Sequence, residues 1–337
     1  MRRAFHFLAL TGVFIVILLV SAWSSLALWY RLPLPLPARA VFAALFAALG
    51  VWTIVSVIRH RWRAPTGVFS VAFAIVLSWW FTLAPSAVGD WSPDVARQVT
   101  GTISGDTLTL NGVRDFTWRS DTDYTENWKT KTYDLKTLTS VDLFMSYWSG
   151  PLMGHMLVSF GFSNGEHVAW SVEVRRKRGG AFSPIADLFK SNPLVIVAAE
   201  ERDIIGVRTI VRGEDVQLYR VNVLPQTARN LLVAYVEDAN KLSRQPQWYN
   251  SLMTNCTTAV VAIVRTLGGT VPLDWRLYVN GYLPEYAYDQ GILDTGSPMA
   301  VLRQQSHIAE KAKAAGMSED FSEAIRRDRV TEPPSSN

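Results

Sequence analysis

Tyr249-Asn250-Ser251-Leu252-Met253-Thr254-Asn255-Cys256-Thr257-Thr258 is the stretch on which the reading of this chain turns. Polar and turn-forming residues lead up to Cys256, and apolar residues at helical spacing follow it. The pattern predicts a loop entering a helix over Thr257 to Leu267, stopped by Gly268-Gly269. Cys256 is the only cysteine in 337 residues, and a lone thiol closes no intrachain disulfide. It is therefore a candidate nucleophile. At a helix N-terminus the unpaired N–H groups and aligned peptide dipoles favour a thiolate, and N–H groups left free there suit an oxyanion. Asn255 reads either as part of that anion site or as the N-cap. The competing reading of Cys256 is a small hydrophobe packed in a core.

The first 84 residues set the compartment. Three apolar stretches, about 4–30, 40–58 and 68–84, approach the roughly 20 residues that a bilayer crossing needs. Trp29, Tyr30, Trp62, Trp79 and Trp80 fall near their ends, as interfacial aromatics do. A cleaved signal peptide is the alternative for the first stretch, but its apolar part is too long and no small-residue cleavage pattern stands out. Arg2-Arg3 and the cluster Arg59, Arg61 and Arg63 mark the cytoplasmic segments. A cytoplasmic N-terminus with three crossings delivers everything beyond about residue 85 to the far side, the periplasm of a Gram-negative bacterium. Arg31 and Arg39 run against that bias. Residues 1–89 hold seven arginines and no Lys, Asp or Glu, leaving 26 of the 33 basic side chains against all 29 acidic ones, a net of −3 beyond the anchor. The overall charge of +4 is thus a topology signal and not a phosphate-binding surface, so no nucleic-acid partner is expected.

The extracytoplasmic part reads as one domain over 90–316, with a C-terminal helix and tail over 317–337, of which Thr331 to Asn337 has the composition of disorder. Thr107 to Leu110, Asn111-Gly112 and Val113 to Trp118 look like a hairpin. Further strands are expected over Val141 to Trp148, Met156 to Phe162, His167 to Arg175, Val195 to Ala199 and Val216 to Val223. Helices follow, one from Pro225 with an apolar face through Leu242, the Cys256 helix, and one from Ser297-Pro298 to about Gly316. The class is α+β.

A thiol enzyme needs a base, and His155, His167 and His307 are the histidines beyond the anchor. His155 stands at the mouth of a strand, where a sheet can hold an imidazole. His167 borders a turn and His307 sits mid-helix, so both read as solvated. Ser171 and Glu173, on the strand returning from Asn164-Gly165, are candidates for the group that fixes the ring. Their face depends on the loop length, because a one-residue slip inverts every side chain. The longer loop puts His155 and Glu173 together.

Gly154-His155-Met-Leu-Val-Ser-Phe-Gly-Phe, Ser171-Val-Glu173-Val-Arg175, Glu201-Arg202-Asp203-Ile-Ile-Gly-Val-Arg208-Thr and Asn250 to Thr258, in that order, resemble the Lnb N-terminal periplasmic domain family. The resemblance implies a permuted papain-like, NlpC/P60-like domain in which an antiparallel sheet carrying the His precedes a Cys-bearing helix. It implies Cys256 as nucleophile and His155 as base, with Ser171, Glu173, Arg175, Arg202, Asp203 and Arg208 as a charged neighbourhood. It also implies acyl transfer from a phospholipid donor to a lipoprotein or peptide acceptor at the membrane. This chain differs from named members of the family in carrying its spans ahead of the domain.

Three function classes follow. One is a membrane-anchored thiol acyltransferase working through a thioester on Cys256. The second is a cysteine peptidase or amidase acting on cell-wall peptide or protein, and the third a non-catalytic anchored binding module. No metal-ligand spacing, phosphate-binding loop or Gly-x-Ser-x-Gly elbow is present, so neither a metal nor another cofactor is expected.

Overall fold

The computed structural model describes residues 2–293 and 295–327. The chain forms two compact units, Met1–Pro85 with Ser183–Ser191, and Ser86–Phe182 with Asn192–Asn337.

The first unit holds α1 (Arg2–Arg31), α2 (Leu36–Ile58) and α3 (Arg63–Thr82). Each is long and apolar enough to cross a membrane, over Leu10–Arg31, Leu36–Ile58 and Arg63–Thr82. The second and third helices start earlier than the apolar runs suggest. Pro sits in the first turn of α2, where its missing N–H costs nothing. Helices α1 and α2 approach closely at Ser21 and Gly50, where a methyl on the glycine would lie 2.0 Å from Ser21 Oγ, the small-residue contact that bilayer helices use. The returning segment carries the short α4 (Pro184–Asp187). Phe189 stacks on Tyr30 with ring centroids 5.6 Å apart, and Lys190 Nζ donates to the Trp80 carbonyl at 2.9 Å.

The second unit is α+β. Its strands are β1 (Thr100–Ser104), β2 (Thr107–Arg114), β3 (Thr117–Trp118), β4 (Tyr124–Thr125), β5 (Trp128–Asp134), β6 (Leu138–Tyr147), β7 (His155–Phe162), β8 (His167–Val174), β9 (Leu194–Ala199) and β10 (Asp215–Arg220). The main sheet runs β1-β2-β9-β8-β7-β6-β10 with β5 on β2, and β3 pairs β4 separately. The β2–β9 contact is parallel and the other pairings in the sheet are antiparallel.

Side chains alternate across this sheet with period two, and both faces are covered. Met156, Val158, Phe160, Trp170 and Val172 meet α6 (Pro225–Arg244), α7 (Cys256–Thr266) and α8 (Leu283–Asp289) on one face. Leu157, Ala169, Val195 and Val197 meet α5 (Glu201–Gly206), α10 (Ala309–Ala315) and α11 (Phe321–Ala324) on the other. Helix α9 is Met299–Ser306.

Three expectations change. Asn111-Gly112 is no hairpin turn: it lies inside β2, where the register against β5 shifts between Asn111 and Val113 and Gly112 has φ 81°. It is a β-bulge, which asks for the same glycine conformation as a turn. The hairpin turn is at Gly105-Asp106, since Ser104 pairs with Thr107. The single helix expected from Ser297 to Gly316 is broken into α9 and α10 at His307, whose backbone bridges Gln217 at the sheet edge. In the C-terminal segment a four-residue helix, α11, stands among the described residues, and the tail Thr331 to Asn337 lies outside them.

Buried charge fixes one corner of the sheet. Asp203, 0 % exposed, accepts from Arg114 Nε at 2.8 Å and Nη2 at 3.0 Å, from the Phe116 N–H at 2.8 Å and from Trp118 Nε1 at 2.7 Å. Removing one member of a buried pair strands the other charge, at a cost of about 3–5 kcal/mol. Asp203→Ala should therefore lower the thermal unfolding midpoint of the full chain in detergent by roughly 10 °C, and an unchanged midpoint would contradict this account of the corner.

Candidate active site

Cys256 is the first residue of α7, capped by Asn255. The Asn255 Oδ1 accepts from the N–H groups of Thr257 and Thr258, each at 2.9 Å, and Thr258 Oγ1 accepts the Asn255 N–H at 2.8 Å. This reciprocal box settles Asn255 as the N-cap. It also occupies two of the N–H groups that the sequence offered to an oxyanion. The main-chain N–H of Met156, on the facing strand, is among the groups that lower the thiol pKa instead.

His155 is the first residue of β7. The β7–β8 turn fixes what lies opposite it: Phe162 N–H bonds to the Glu166 carbonyl at 2.9 Å, closing a three-residue loop with Gly165 at φ 86°. With Leu157 opposite Ser171, the same register sets His155 against Glu173, as the longer loop predicts. His155 Nε2 lies 2.6 Å from Ser171 Oγ and 3.1 Å from Glu173 Oε1, and Ser171 Oγ donates to Glu173 Oε1 at 2.7 Å. Nε2 is thus committed to the hydroxyl and carboxylate, which leaves Nδ1 for the thiol. Because His155 ends its strand, its ring can meet the start of a helix that packs on the opposite face of the sheet.

Arg208 completes this arrangement from a π-helical turn, Val207–Val211, a distortion often found at functional sites. Its Nη2 donates to Glu173 Oε1 at 2.9 Å and its Nη1 to Glu214 Oε2 at 3.4 Å. Glu214 also accepts from Ser146 Oγ.

The electrostatics follow from these contacts. Burial works against the charged imidazole, but the Glu173 carboxylate, helped by hydrogen bonds to Cys256 and Glu173, outweighs it and raises the His155 pKa to about 9. Burial works against the thiolate too, yet the hydrogen bond and charge of His155, the Met156 N–H and the Thr257 side chain lower the Cys256 pKa. Burial likewise opposes the Glu173 carboxylate, and the charges of His155 and Arg208 hold it well below its usual range. Both shifts run in the direction of a thiolate beside an imidazolium, the activated form of a cysteine nucleophile.

Not every candidate residue is here. Arg175 instead donates to the carbonyls of Val95, Ala87 and Ala96 and lies over the Trp91 ring. Arg202 forks onto Asp115 with two bonds of 2.9 Å, and Asp203 is the corner carboxylate described above. These three build the frame and do not reach the thiol, because adjacency in a sequence block says nothing about which sheet face or loop a side chain serves. His167 bonds to the Gly165 carbonyl at 3.0 Å. His307 pairs with Asp215 at 2.6 Å. Asn280 was missed: its amide Nδ2 lies 3.8 Å from Cys256 Sγ. The Asn280-Gly281 pair carries a turn signal, but nothing in the sequence ties that turn to a cysteine 24 residues earlier.

Large apolar side chains stand exposed on each segment feeding the site: Leu152 and Met153 before His155, Leu252 and Met253 before Cys256, and Trp275 and Tyr278 before Asn280. The sulfur itself is buried within a residue 5 % exposed.

Residues 124–281 match the family model described as the Lnb N-terminal periplasmic domain. No curated protein and no solved structure matches the chain.

The ion pair exists between the lowered thiol pKa and the raised imidazole pKa. Alkylation of Cys256 should therefore stay fast as pH falls through about 8.5, where a free thiol loses reactivity. His155→Ala should return the midpoint towards that value and slow alkylation at about pH 6.5 by at least tenfold. Superimposable profiles for the variant and the parent would show that the ring does not activate the sulfur.

Proposed function

We propose that this chain, whose residues 124–281 belong to the Lnb N-terminal periplasmic domain family, is a membrane-anchored thiol acyltransferase. The observation that carries the reading is Cys256 at the capped start of α7 beside His155, whose ring is held by Ser171 and Glu173 and whose charge lowers the thiol pKa. Its supports are the three helices able to cross a membrane and the exposed apolar side chains on the segments that lead into the site. The arginine distribution supports a domain outside the cytoplasm, and the order of His strand before Cys helix is compatible with a permuted papain-like arrangement.

In this reading the thiolate attacks the ester carbonyl of a phospholipid acyl chain. The carbon–sulfur bond forms and the carbonyl becomes a tetrahedral oxyanion, for which the Met156 N–H beside the thiol is a donor. Collapse breaks the carbon–oxygen bond, and the His155 imidazolium gives its proton to the departing lysophospholipid alkoxide. An acyl thioester and a neutral imidazole remain. The amino group of an acceptor then attacks the thioester, His155 takes the proton that the amine loses, and the amide leaves with the thiolate restored. Ser171 and Glu173 hold the ring through both proton transfers. Arg208 keeps Glu173 ionised. The buried setting of the sulfur favours aminolysis over hydrolysis, because a thioester screened from water survives until the amine arrives.

The full chain incubated with phospholipid vesicles should gain the mass of one fatty acyl group on Cys256, and Cys256→Ala should gain none. Release of free fatty acid without transfer to an added N-terminal cysteine peptide would identify a hydrolase on the same residues. An unmodified Cys256 with no product of either kind would refute the proposal.

A further inference from the structure

Asn280 opens the turn Asn280–Tyr282 and is 8 % exposed. Its Oδ1 accepts the Gly154 N–H at 3.0 Å, and its Nδ2 donates to the Gly154 carbonyl at 2.8 Å and to Thr257 Oγ1 at 3.1 Å. Gly154 directly precedes His155, and Thr257 directly follows Cys256. One amide group is thus bonded to the chain neighbours of both residues of the ion pair, and Sγ lies 3.8 Å from the same nitrogen. The two-way bond to Gly154 copies the exchange of a paired strand, so the side chain has little freedom to turn.

The turn that carries Asn280 is held as tightly. Gly281 N–H bonds to the Leu152 carbonyl at 3.1 Å, and Tyr147 Oη donates to the Gly281 carbonyl at 2.8 Å. A Cβ at 281 would lie 2.0 Å from the Pro151 carbonyl oxygen, a backbone atom that cannot step aside. Only glycine allows the turn to approach the 151–154 segment this closely.

We propose that Asn280 is a positioning residue that sets the spacing between the sulfur of Cys256 and the ring of His155. The proposal rests on reading those two as the reacting pair. Strand β7 and helix α7 are separate elements on a shared core, and a hydrogen bond between their ends fails with a displacement of less than an ångström. Asn280 spans that junction without a charge of its own, so it fixes distance and leaves the charge balance to others. The titratable and charged groups that face the pair are Glu173 from β8 and Arg208 from the π-helical turn, beside the ring, and Tyr235 from α6, beside the sulfur. All of them remain when Asn280 is changed.

The test is the pH profile of Cys256 alkylation by iodoacetamide, read by mass spectrometry on the full chain in detergent, for the parent, Asn280→Ala and Asn280→Asp. In the alanine variant the midpoint should move up by about one pH unit, which is about tenfold slower alkylation at about pH 6.5 with the same limiting rate at high pH. Asn280→Asp keeps an acceptor for the Gly154 N–H, loses the donors and adds a negative charge beside the sulfur, so its midpoint should rise further. If the alanine variant does not fold, Asn280→Leu, of similar size and without charge, takes its place, with the same upward shift expected. Midpoints equal to the parent's, or a rate change uniform across pH, would overturn the proposal. The assay reads no acyl transfer, so a failure of the acyltransferase reading leaves its outcome standing.

Discussion

The chemistry of the second unit turns on one interaction, the pull of the His155 charge on the Cys256 thiol. The sulfur begins a helix and the ring begins a strand, and each sits at its terminus for a physical reason. A helix start brings aligned dipoles and main-chain donors to a developing anion. A strand start lets a ring committed to one face of the sheet reach an atom presented from the other. Neither group is charged cheaply in a buried place: the thiolate leans on the ring, and the ring's charge leans chiefly on Glu173.

Carboxylates and guanidinium groups carry that dependence outward. Glu173 supports the imidazolium, Arg208 supports Glu173, and Glu214 closes the chain of charges. The Asp203 corner and the cluster in which Arg326 binds Asp142 and Glu201 do different work. They pin loops and the C-terminal segment to the sheet, and they lie away from the sulfur. Buried charge in this domain therefore serves both the frame and the chemistry, and only the partners of each group tell them apart.

Much of this could be read before any coordinates. The apolar runs announced three helices long and apolar enough to cross a membrane, because length and hydrophobicity are local properties of the sequence. The thiol at a helix start was legible from the polar-to-apolar change around Asn255-Cys256-Thr257. The pairing of His155 with Glu173 followed from period two once the Ser163-Asn164-Gly165 loop was given three residues. What failed, failed for want of long-range information. Gly112 needs a positive φ in a bulge as it would in a turn, so the local signal could not separate them. The helix break at His307 answers to a sheet edge some 90 residues away in sequence. Arg175, Arg202 and Asp203 share sequence blocks with site residues and yet point elsewhere. Asn280 joins the site through two backbone groups of Gly154, a contact with no imprint on either residue's type.

The central claim is that the resting sulfur is a thiolate held by an imidazolium. Its most direct measurement is the thiolate ultraviolet absorbance of the full chain against Cys256→Ser, titrated from acid to alkali. The difference signal should already be present at neutral pH and vanish only on acidification well below the free-thiol range of about 8.5. A signal that first appears at or above that range would show a neutral thiol at rest, and the account would be wrong.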